Sequence, residues 1–281
     1  MTVVVKIGGA RAVDPAGAIA DVASLVDSGK DIVVTHGGST AVDELLDRLG
    51  MEPEYVETPD GVVGRFTDED TMEVFEMVLA GRVNTQLVAS LRTAGVDAVG
   101  LSGVDGGLLE GPRTSAIRVV EDGKKKIRRG DHSGRPETVN ESLLSSLLAD
   151  GYTPVCSPPM GGIEDDESVT PVNTDADRAA ALIAGALPAR LVLLTDVPGI
   201  LADPDDESTL FESVATRAEW ERVEDAAEGF MSRKLMAAEE SLTGGASEVV
   251  VADANAEAPV TAALNGSGTH IQPDALEADR A

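Results

Sequence analysis

The chain has little lysine, a single cysteine and few aromatic residues. Only six of its 281 residues are lysine, and Asp and Glu outnumber Lys and Arg by 50 to 22, which gives a formal net charge of −28. So acidic a composition argues against general binding of nucleic acid, because phosphate groups would be repelled. The acidic residues lie along segments with ordinary helical periodicity, so we interpret them as a solvated surface suited to a salty cytoplasm. In such a chain each remaining lysine is a candidate for a specific role.

Long apolar runs are also lacking, and the single cysteine, Cys156, excludes a disulfide within the chain. No segment is apolar over the length needed to span a bilayer, and the N-terminus lacks the basic and apolar regions of a secretion signal. A chain without disulfides fits a reducing compartment. We therefore expect a cytoplasmic protein in which Cys156 is a small core residue.

Short apolar runs typical of buried strands alternate with helical patterns over most of the chain. The first strands are predicted at residues 2–7 and 31–36, and a helix is predicted at 16–28 between them. This alternation predicts a three-layer α/β sandwich around a mainly parallel sheet. Two segments, 52–70 and 108–138, interrupt the alternation and are predicted to form hairpins or lids.

The first two predicted strands each end in consecutive glycines. Gly8 and Gly9 follow the first strand, and Gly37 and Gly38 follow the second. Glycines let backbone N–H groups approach an anion, and the helix that follows adds the positive end of its dipole. The glycines alone are explained equally well as tight strand-to-helix turns. Lys6, just before the first turn, could hold the charge that develops on a transferring phosphoryl group.

Four further motifs follow the glycine turns in the order of the chain. They are Gly64-Arg65-Phe66-Thr67, residues 171–180 with the sequence PVNTDADRAA, residues 193–201 with the sequence LLTDVPGIL, and residues 229–234 with the sequence GFMSRK. Over almost the whole chain this order resembles the amino acid kinase family, and within it the acetylglutamate kinase branch. The resemblance implies the αβα sandwich of that family and transfer of the γ-phosphoryl group of ATP to a side-chain carboxylate.

The resemblance assigns catalytic roles to three residues. Lys6 and Lys234 match the two lysines that stabilise the transferring phosphoryl group, and Asp177 matches the carboxylate that orients both lysines. Two ammonium groups can neutralise the oxygens of a metaphosphate-like transition state, in which positioning and charge do most of the work. Without the resemblance, Lys234 could be a solvated helix residue and Asp177 an acid that stabilises the start of a helix.

Other matches concern the acceptor and the nucleotide. Arg65 matches an arginine that binds the α-carboxylate of the acceptor, for which a forked guanidinium is suited. The further implied substrate contacts are Gly37, Gly38, Ser39 and Asn173, and the implied contacts with ATP or its phosphates are Gly8, Gly9, Thr195 and Asp196. Mg²⁺ is implied to arrive with ATP, without a metal site of its own in the protein. Within a single domain of residues 1–281, residues 1–170 would bind the acceptor and residues 171–281 would bind ATP.

Two features separate the chain from ordinary acetylglutamate kinases. Ser39 stands where those enzymes usually have a third glycine. Residues 113–135 hold eight Lys and Arg side chains against three Asp and Glu, a local net charge of +5. Five cations form a candidate docking strip for an acidic partner: Lys124, Lys125, Lys126, Arg128 and Arg129. Residues 64–67, 100–107, 111–113 and 131–136 resemble a branch of kinases that act on glutamate or aminoadipate attached to a small acidic carrier protein, LysW. The resemblance implies that the acidic carrier meets the basic strip and that Ser39 suits a substituent larger than acetyl.

Two other functions stay open at this stage. An ordinary acetylglutamate kinase would share the motifs but has no evident use for the strip. A non-catalytic nucleotide-binding regulatory protein would not need Lys6, Asp177 and Lys234 together. The strip itself could be a solvated turn that pairs with neighbouring acids, while nucleic acid is disfavoured by the overall charge.

A homodimer is expected on general grounds, and no residue distinguishes glutamate from aminoadipate, which differ by one methylene.

Overall fold

A computed structural model of the chain describes residues 1–8, 15–59, 61, 63–121, 123–227 and 229–277, with Phe230 described in its backbone alone. Gly9, one of the predicted phosphate contacts, lies outside the described residues. The helices are α1 (Pro15–Asp27), α2 (Ser39–Leu49), α3 (Glu69–Phe75), α4 (Asn84–Thr93), α5 (Glu141–Ala149), α6 (Ala176–Ala186), α7 (Arg217–Ala226), α8 (Phe230–Thr243) and α9 (Pro259–Leu264). A π-helical segment, Glu76–Val83, joins α3 to α4.

Twelve of the described strands form one sheet. The strands are β1 (Val3–Ile7), β2 (Ile32–His36), β3 (Tyr55–Glu57), β4 (Val63–Arg65), β5 (Ala98–Gly103), β6 (Leu109–Glu121), β7 (Lys124–Gly134), β8 (Thr138–Val139), β9 (Thr153–Ile163), β10 (Val169–Val172), β11 (Arg190–Thr195), β12 (Ser213–Val214), β13 (Glu248–Asp253) and β14 (Thr269–Ile271). The main path runs β12-β14-β13-β11-β1-β2-β9-β6-β7, and β3 pairs with β4 in a separate two-stranded sheet.

The centre of the large sheet is parallel. Strand β1 pairs in parallel with β11 on one side and with β2 on the other, so that Val5 lies between Val192 and Val34. Antiparallel pairs occur towards the margins, between β13 and β14 and between β6 and β7. The predicted mainly parallel sheet is therefore confirmed. Because β1 and β11 are adjacent, the two predicted ligand-binding segments share one sheet.

Side chains of the central strands alternate between two cores. In β1, Val4 belongs to a core that α6 and α8 cover, whereas Val3 and Val5 belong to a core that α1, α4 and α9 cover. The alternation follows from the two-residue period of a strand, and both faces are apolar because helices bury both. The three-layer sandwich is thus confirmed. Among the described residues, no helix combines the length and the apolar character needed to traverse a lipid bilayer.

Helices α6 and α8 pack closely because their contact is built from small residues. A Cβ atom added to Gly185 would lie 3.0 Å from the backbone of Gly244, just beyond the end of α8. The buried positions of α6 are mostly alanine, and Ala237 and Ala238 of α8 are also fully buried. This short separation allows side chains from the first turns of the two helices to reach one another.

Both predicted hairpins are present. Strands β3 and β4 form a short arm, and β6 and β7 form a long hairpin that joins the sheet through the pairing of β6 with β9. Residues Val56, Phe66 and Val119 form a small apolar cluster between the arm and the hairpin. The arm therefore rests on the hairpin and not on the main core.

Candidate active site

Three charged side chains meet beside the carboxyl end of the central strand. Lys6 lies near the end of β1, Asp177 lies in the first turn of α6, and Lys234 lies in α8. The Nζ atom of Lys6 is 2.8 Å from Oδ1 of Asp177, and the Nζ atom of Lys234 is 3.0 Å from Oδ2. All three residues are more than nine-tenths buried. The structure therefore brings together the three residues predicted to be catalytic.

Local structure explains why these side chains converge. Lys6 is two residues after Val4 and so points to the same face of the sheet, which α6 and α8 cover. Asp175 caps α6, because its Oδ1 atom accepts hydrogen bonds from the backbone N–H groups of Asp177 and Arg178 at 2.9 and 3.1 Å. This cap fixes the first turn of α6 and with it the position of the Asp177 carboxylate.

The cluster holds a charged carboxylate between two cations. Burial alone would raise the pKa of Asp177, but the charges of Lys6 and Lys234 outweigh burial and lower the pKa to about 2. Asp177 therefore stays ionised at neutral pH and does not serve as a proton acceptor. The cluster as a whole carries one excess positive charge, which suits the binding of an anion such as phosphate.

Gly8 and the second predicted glycine turn lie at the same edge of the sheet. The neighbouring parallel strands β11, β1 and β2 end at Thr195, Ile7 and His36, so the residues that follow them are close in space. The backbone N–H of Gly37 donates to the carbonyl of Ile7 at 3.4 Å, which joins the second turn to the end of β1. Gly38 immediately precedes α2, whose N-terminus opens at this edge. The edge thus offers backbone donors beside the lysines.

The His36 side chain is neutral and supports this turn. Burial lowers the pKa of His36 to about 4, although its contact with the Gly37 carbonyl raises the pKa and the charge of Lys6 lowers it further. The Nδ1 atom lies 2.9 Å from the Gly37 carbonyl oxygen, and Nε2 lies 3.3 Å from the Asn84 amide nitrogen. With Nδ1 as donor and Nε2 as acceptor both contacts are satisfied. His36 therefore orders the glycine turn, and both of its ring nitrogens are engaged in contacts within the protein.

Arg65 lies at the end of the arm, where polar and aromatic side chains hold its guanidinium. Its guanidinium pairs with Asp43, donates to the Tyr55 hydroxyl at 2.9 Å and lies over the rings of Tyr55 and Phe75. The Nη1 atom is buried and has no hydrogen-bond partner among the described residues. The sequence does not predict these contacts of Arg65 with Asp43, Tyr55 and Phe75, because nothing in their local sequence relates them to Arg65.

The remaining predicted contacts are spread around this edge. Ser39 is exposed at the first position of α2, and Asn173 follows β10 four residues before Asp177. Thr195 is buried at the end of β11, and its hydroxyl donates to the exposed Asp196 at 3.1 Å. Their contacts with the acceptor and the nucleotide stay predictions.

Comparison with known proteins identifies the family. The family model described as "Amino acid kinase family" matches residues 1–253. The chain belongs to the amino acid kinase family. It is 42% identical over 276 residues to the LysW-aminoadipate kinase of Thermus thermophilus, a match that covers 96% of this chain and 100% of that relative. The expectation of a phosphotransferase is confirmed by the same comparison.

Two further relatives show how broad the likeness is. The acetylglutamate kinase of Methanopyrus kandleri is also 42% identical, over 275 residues, covering 96% of this amino acid kinase and 99% of that relative. The N-acetylglutamate synthase of Neisseria gonorrhoeae, solved with coenzyme A and N-acetylglutamate, superposes with a TM-score of 0.74 at 27% identity, covering 96% of this chain and 59% of that one. Sequence identity therefore does not decide between a carrier-dependent kinase and an acetylglutamate kinase.

The predicted docking strip of this amino acid kinase divides between two faces of the hairpin. Arg128 forms a two-point contact with Glu54 of the segment before β3 and lies over the Phe66 ring, and Lys126 pairs with Glu121 at 2.8 Å. Both side chains face the arm, on the same side of the hairpin as the buried Val119. Lys124 is exposed at the tip of this same side.

The opposite face of the hairpin is exposed and basic. It carries Lys125 and Arg129 of β7 and, across the strand pair, Arg118 of β6, around an Ile127 side chain that is 64% exposed. No ion pair holds these three cations among the residues that the structure describes. Arg118 was counted in the local charge but not in the predicted strip, although its register with Ile127 places it on this face. We call Arg118, Lys125, Ile127 and Arg129 the outer face.

Proposed function

We propose that this amino acid kinase transfers the γ-phosphoryl group of ATP to the side-chain carboxylate of glutamate or 2-aminoadipate carried on the small acidic protein LysW. The product would be an acyl phosphate in arginine or lysine biosynthesis. The Lys6–Asp177–Lys234 cluster supports the transfer, since it offers fixed positive charge at a glycine-rich edge. The proposal that the substrate is attached to an acidic carrier is supported chiefly by the outer face, which is a basic surface on a protein with a net charge of −28. The relative named LysW-aminoadipate kinase supports both the phosphoryl transfer and the carrier.

The residues present are sufficient for the chemistry. The acceptor carboxylate is ionised at neutral pH, so it can attack the γ-phosphorus without a general base. One P–O bond forms to the acceptor as the bond to the β-phosphate oxygen breaks, and ADP leaves without any proton transfer. Lys6 and Lys234 would neutralise the phosphoryl oxygens during this step, and Asp177 would keep both ammonium groups in position.

The phosphates and their ion fit the same edge. Mg²⁺ brought by ATP would add positive charge there. Among the described residues no group of three or more His, Cys, Asp or Glu could hold a metal ion on its own. Thr195 and Asp196, after β11, are proposed to lie on the nucleotide side. Residues 171–281 would therefore supply most contacts with ATP.

The acceptor side is proposed to lie in residues 1–170. The Nη1 atom of Arg65 has no hydrogen-bond partner among the described residues, and we propose that it binds the α-carboxylate of the acceptor. Asp43 pairs with the Nη2 atom of the same guanidinium. Ser39 and Asn173 would line the path of the carried amino acid. We further propose a cytoplasmic homodimer, a state that light scattering of the purified protein would measure.

Trapping of the acyl phosphate with hydroxylamine tests the function. The assay would use ATP, Mg²⁺ and high salt with three acceptors: carrier-attached glutamate, carrier-attached aminoadipate and free N-acetylglutamate. Turnover restricted to the carrier forms is the expected result, and their ratio gives the preferred chain length. Turnover with free N-acetylglutamate would identify an ordinary acetylglutamate kinase. Nucleotide binding with no turnover on any acceptor would favour the regulatory alternative.

Reversing two charges of the outer face is expected to weaken the carrier substrate selectively. The double variant Lys125→Glu, Arg129→Glu should raise KM for the carrier-attached substrate by about tenfold or more, and the effect should shrink as salt is added, because exposed charges are screened. The KM for ATP should change by less than about twofold, since both side chains are remote from the lysine cluster.

A matched control separates docking from net charge. Lys30→Glu, Arg92→Glu changes the charge of the protein by the same amount at two exposed cations that lie outside the hairpin. This control should leave KM for the carrier-attached substrate nearly unchanged. Equal effects of the two double variants would mean that only overall charge matters, and the docking proposal would be abandoned.

A further inference from the structure

Strand β7 contacts both segments that carry the predicted acceptor-binding side chains. On one side, the backbone N–H of His132 donates to the carbonyl of Thr67, two residues after Arg65, at 2.7 Å. On the other side, the backbone N–H of Asn173 donates to the His132 carbonyl at 2.8 Å, and the N–H of Gly134 donates to the Asn173 carbonyl at 2.9 Å. One stretch of β7 therefore lies between Arg65 and Asn173.

The Asp131 carboxylate joins these contacts. Its Oδ1 atom accepts a hydrogen bond from the backbone N–H of Thr67 at 2.9 Å, and its Oδ2 atom accepts one from the hydroxyl of Ser133. Ser133 in turn is the bridge partner of Asn173. Asp131 is 1% exposed, so water does not compete for either oxygen. Oδ1 thus fixes the Thr67 segment directly, whereas Oδ2 fixes Ser133 within β7, beside the backbone hydrogen bonds that join His132 and Gly134 to Asn173.

Polar contacts also hold the arm: Arg65 pairs with Asp43 of α2, Arg128 makes a two-point contact with Glu54, and Arg233 donates to the Val63 carbonyl at 2.9 Å. The arm is a two-stranded sheet separate from the main sheet, and its apolar contact with the hairpin is the small cluster of Val56, Phe66 and Val119, with Ile117 partly buried beside it. Apolar contacts are not directional, so such a cluster holds the arm against the hairpin without setting its angle. Directed hydrogen bonds to a buried charge set an angle well.

We infer that Asp131 is a positioning residue that sets the distance and angle between Arg65 and Asn173. The inference rests on the proposed function, in which these two side chains hold the acceptor. A small misplacement of a substrate-binding group is enough to lower the rate strongly, because the acceptor carboxylate must lie in line with the phosphoryl group. Asp131 contacts neither Lys6 nor Lys234 and acts through the segments that it joins.

Two substitutions test the inference. Asp131→Asn removes the charge and leaves one oxygen for two donors, and Ser133→Ala removes only the hydrogen bond within β7, at the residue paired with Asn173. Both should raise KM for the acceptor by about tenfold, with a smaller fall in kcat and an unchanged KM for ATP. The chain offers a matched control, because Asp166 accepts from the backbone and hydroxyl of Ser168 in an exposed turn. Asp166→Asn and Ser168→Ala should change none of these constants.

A double-mutant cycle with Arg65 separates positioning from general folding. In an Arg65→Ala background, Asp131→Asn should raise the acceptor KM by less than about twofold, because the side chain that it positions is gone. A factor equal to that in the wild-type background would overturn the inference while leaving the proposed function intact.

Amide hydrogen exchange gives a readout that does not depend on turnover. In the substrate-free protein, Asp131→Asn should speed exchange about tenfold or more at both Thr67 and Asn173, and the Asp166→Asn control should not. Unchanged exchange at Asn173 would overturn the coupling between the two segments, whatever the acceptor proves to be. Failure of the wild-type enzyme to phosphorylate any of the three acceptors would instead count against the proposed function.

Discussion

Replacing Lys234 by glutamine is expected to lower kcat by on the order of 100-fold or more. Lys234 supplies one of the two ammonium groups on the Asp177 carboxylate, with its Nζ atom 3.0 Å from Oδ2. A glutamine keeps much of the side-chain volume but removes the charge that would neutralise the phosphoryl oxygens. The fold should survive, because Lys6 remains 2.8 Å from the same carboxylate and keeps it paired.

Steady-state kinetics with ATP and the preferred acceptor measure this effect. Lys30→Gln is the matched control, since Lys30 is an exposed lysine just before β2, at the opposite end of the strand from the glycine turn. It should retain full kcat. If Lys234→Gln raised KM for ATP but left kcat within about threefold, Lys234 would be a nucleotide-binding residue only, and the two-lysine mechanism would be wrong.

Lys6 carries a strong local signal in the sequence, whereas Asp177 and Lys234 were assigned to the cluster through the resemblance to the family. Lys6 lies between an apolar strand and a glycine turn, and Asp177 lies in a motif at the start of a helix rich in small residues. The period of two along β1 and the small residues of α6 then dictate which face the side chains share. Family resemblance was still needed for Lys234, whose surroundings in the sequence look like an ordinary amphipathic helix.

The basic hairpin shows where sequence reasoning stops. Five cations close together in the chain predict a single strip. Because side chains alternate along a strand, Lys126 and Arg128 lie on one face of the hairpin and Lys125 and Arg129 lie on the other. The alternation was available from the sequence. The partner of Arg128 was not, because Glu54 lies 74 positions away and only the packing of the arm on the hairpin brings the two together.

Other omissions have a similar physical origin. The sequence analysis does not predict helix α7, although Trp220 and Val223 are spaced as on one helical face and the Thr216–Glu219 capping box marks its start. Strands β12 and β14 are two and three residues long, too short to show a period. Asp43, which pairs with Arg65, lies in α2 on the far side of a loop and has no motif of its own. Contacts between distant, locally unremarkable residues are set by tertiary packing alone.

Acidification is expected to destabilise the protein through His36 before its carboxylates titrate. Burial lowers the pKa of His36 to about 4, compared with 6.5 for an unperturbed histidine. Between these two values the unfolded chain binds the proton and the folded chain does not, so the free energy of unfolding rises with pH across this window. The contribution of His36 is therefore complete above pH 6.5 and is lost as the pH falls towards 4. The full change amounts to about 3 kcal/mol.

Urea denaturation at a series of pH values in constant salt measures this contribution. His36→Gln should lose some stability at pH 7.5, where the contacts with Gly37 and Asn84 are perturbed. Between pH 6.5 and 5, its free energy of unfolding should change by about 2 kcal/mol less than that of the wild type, because the titrating group is gone. Parallel curves for the two proteins in this window would show that His36 binds its proton equally well in the folded and unfolded states. That result would contradict its role as a neutral, buried support of the glycine turn.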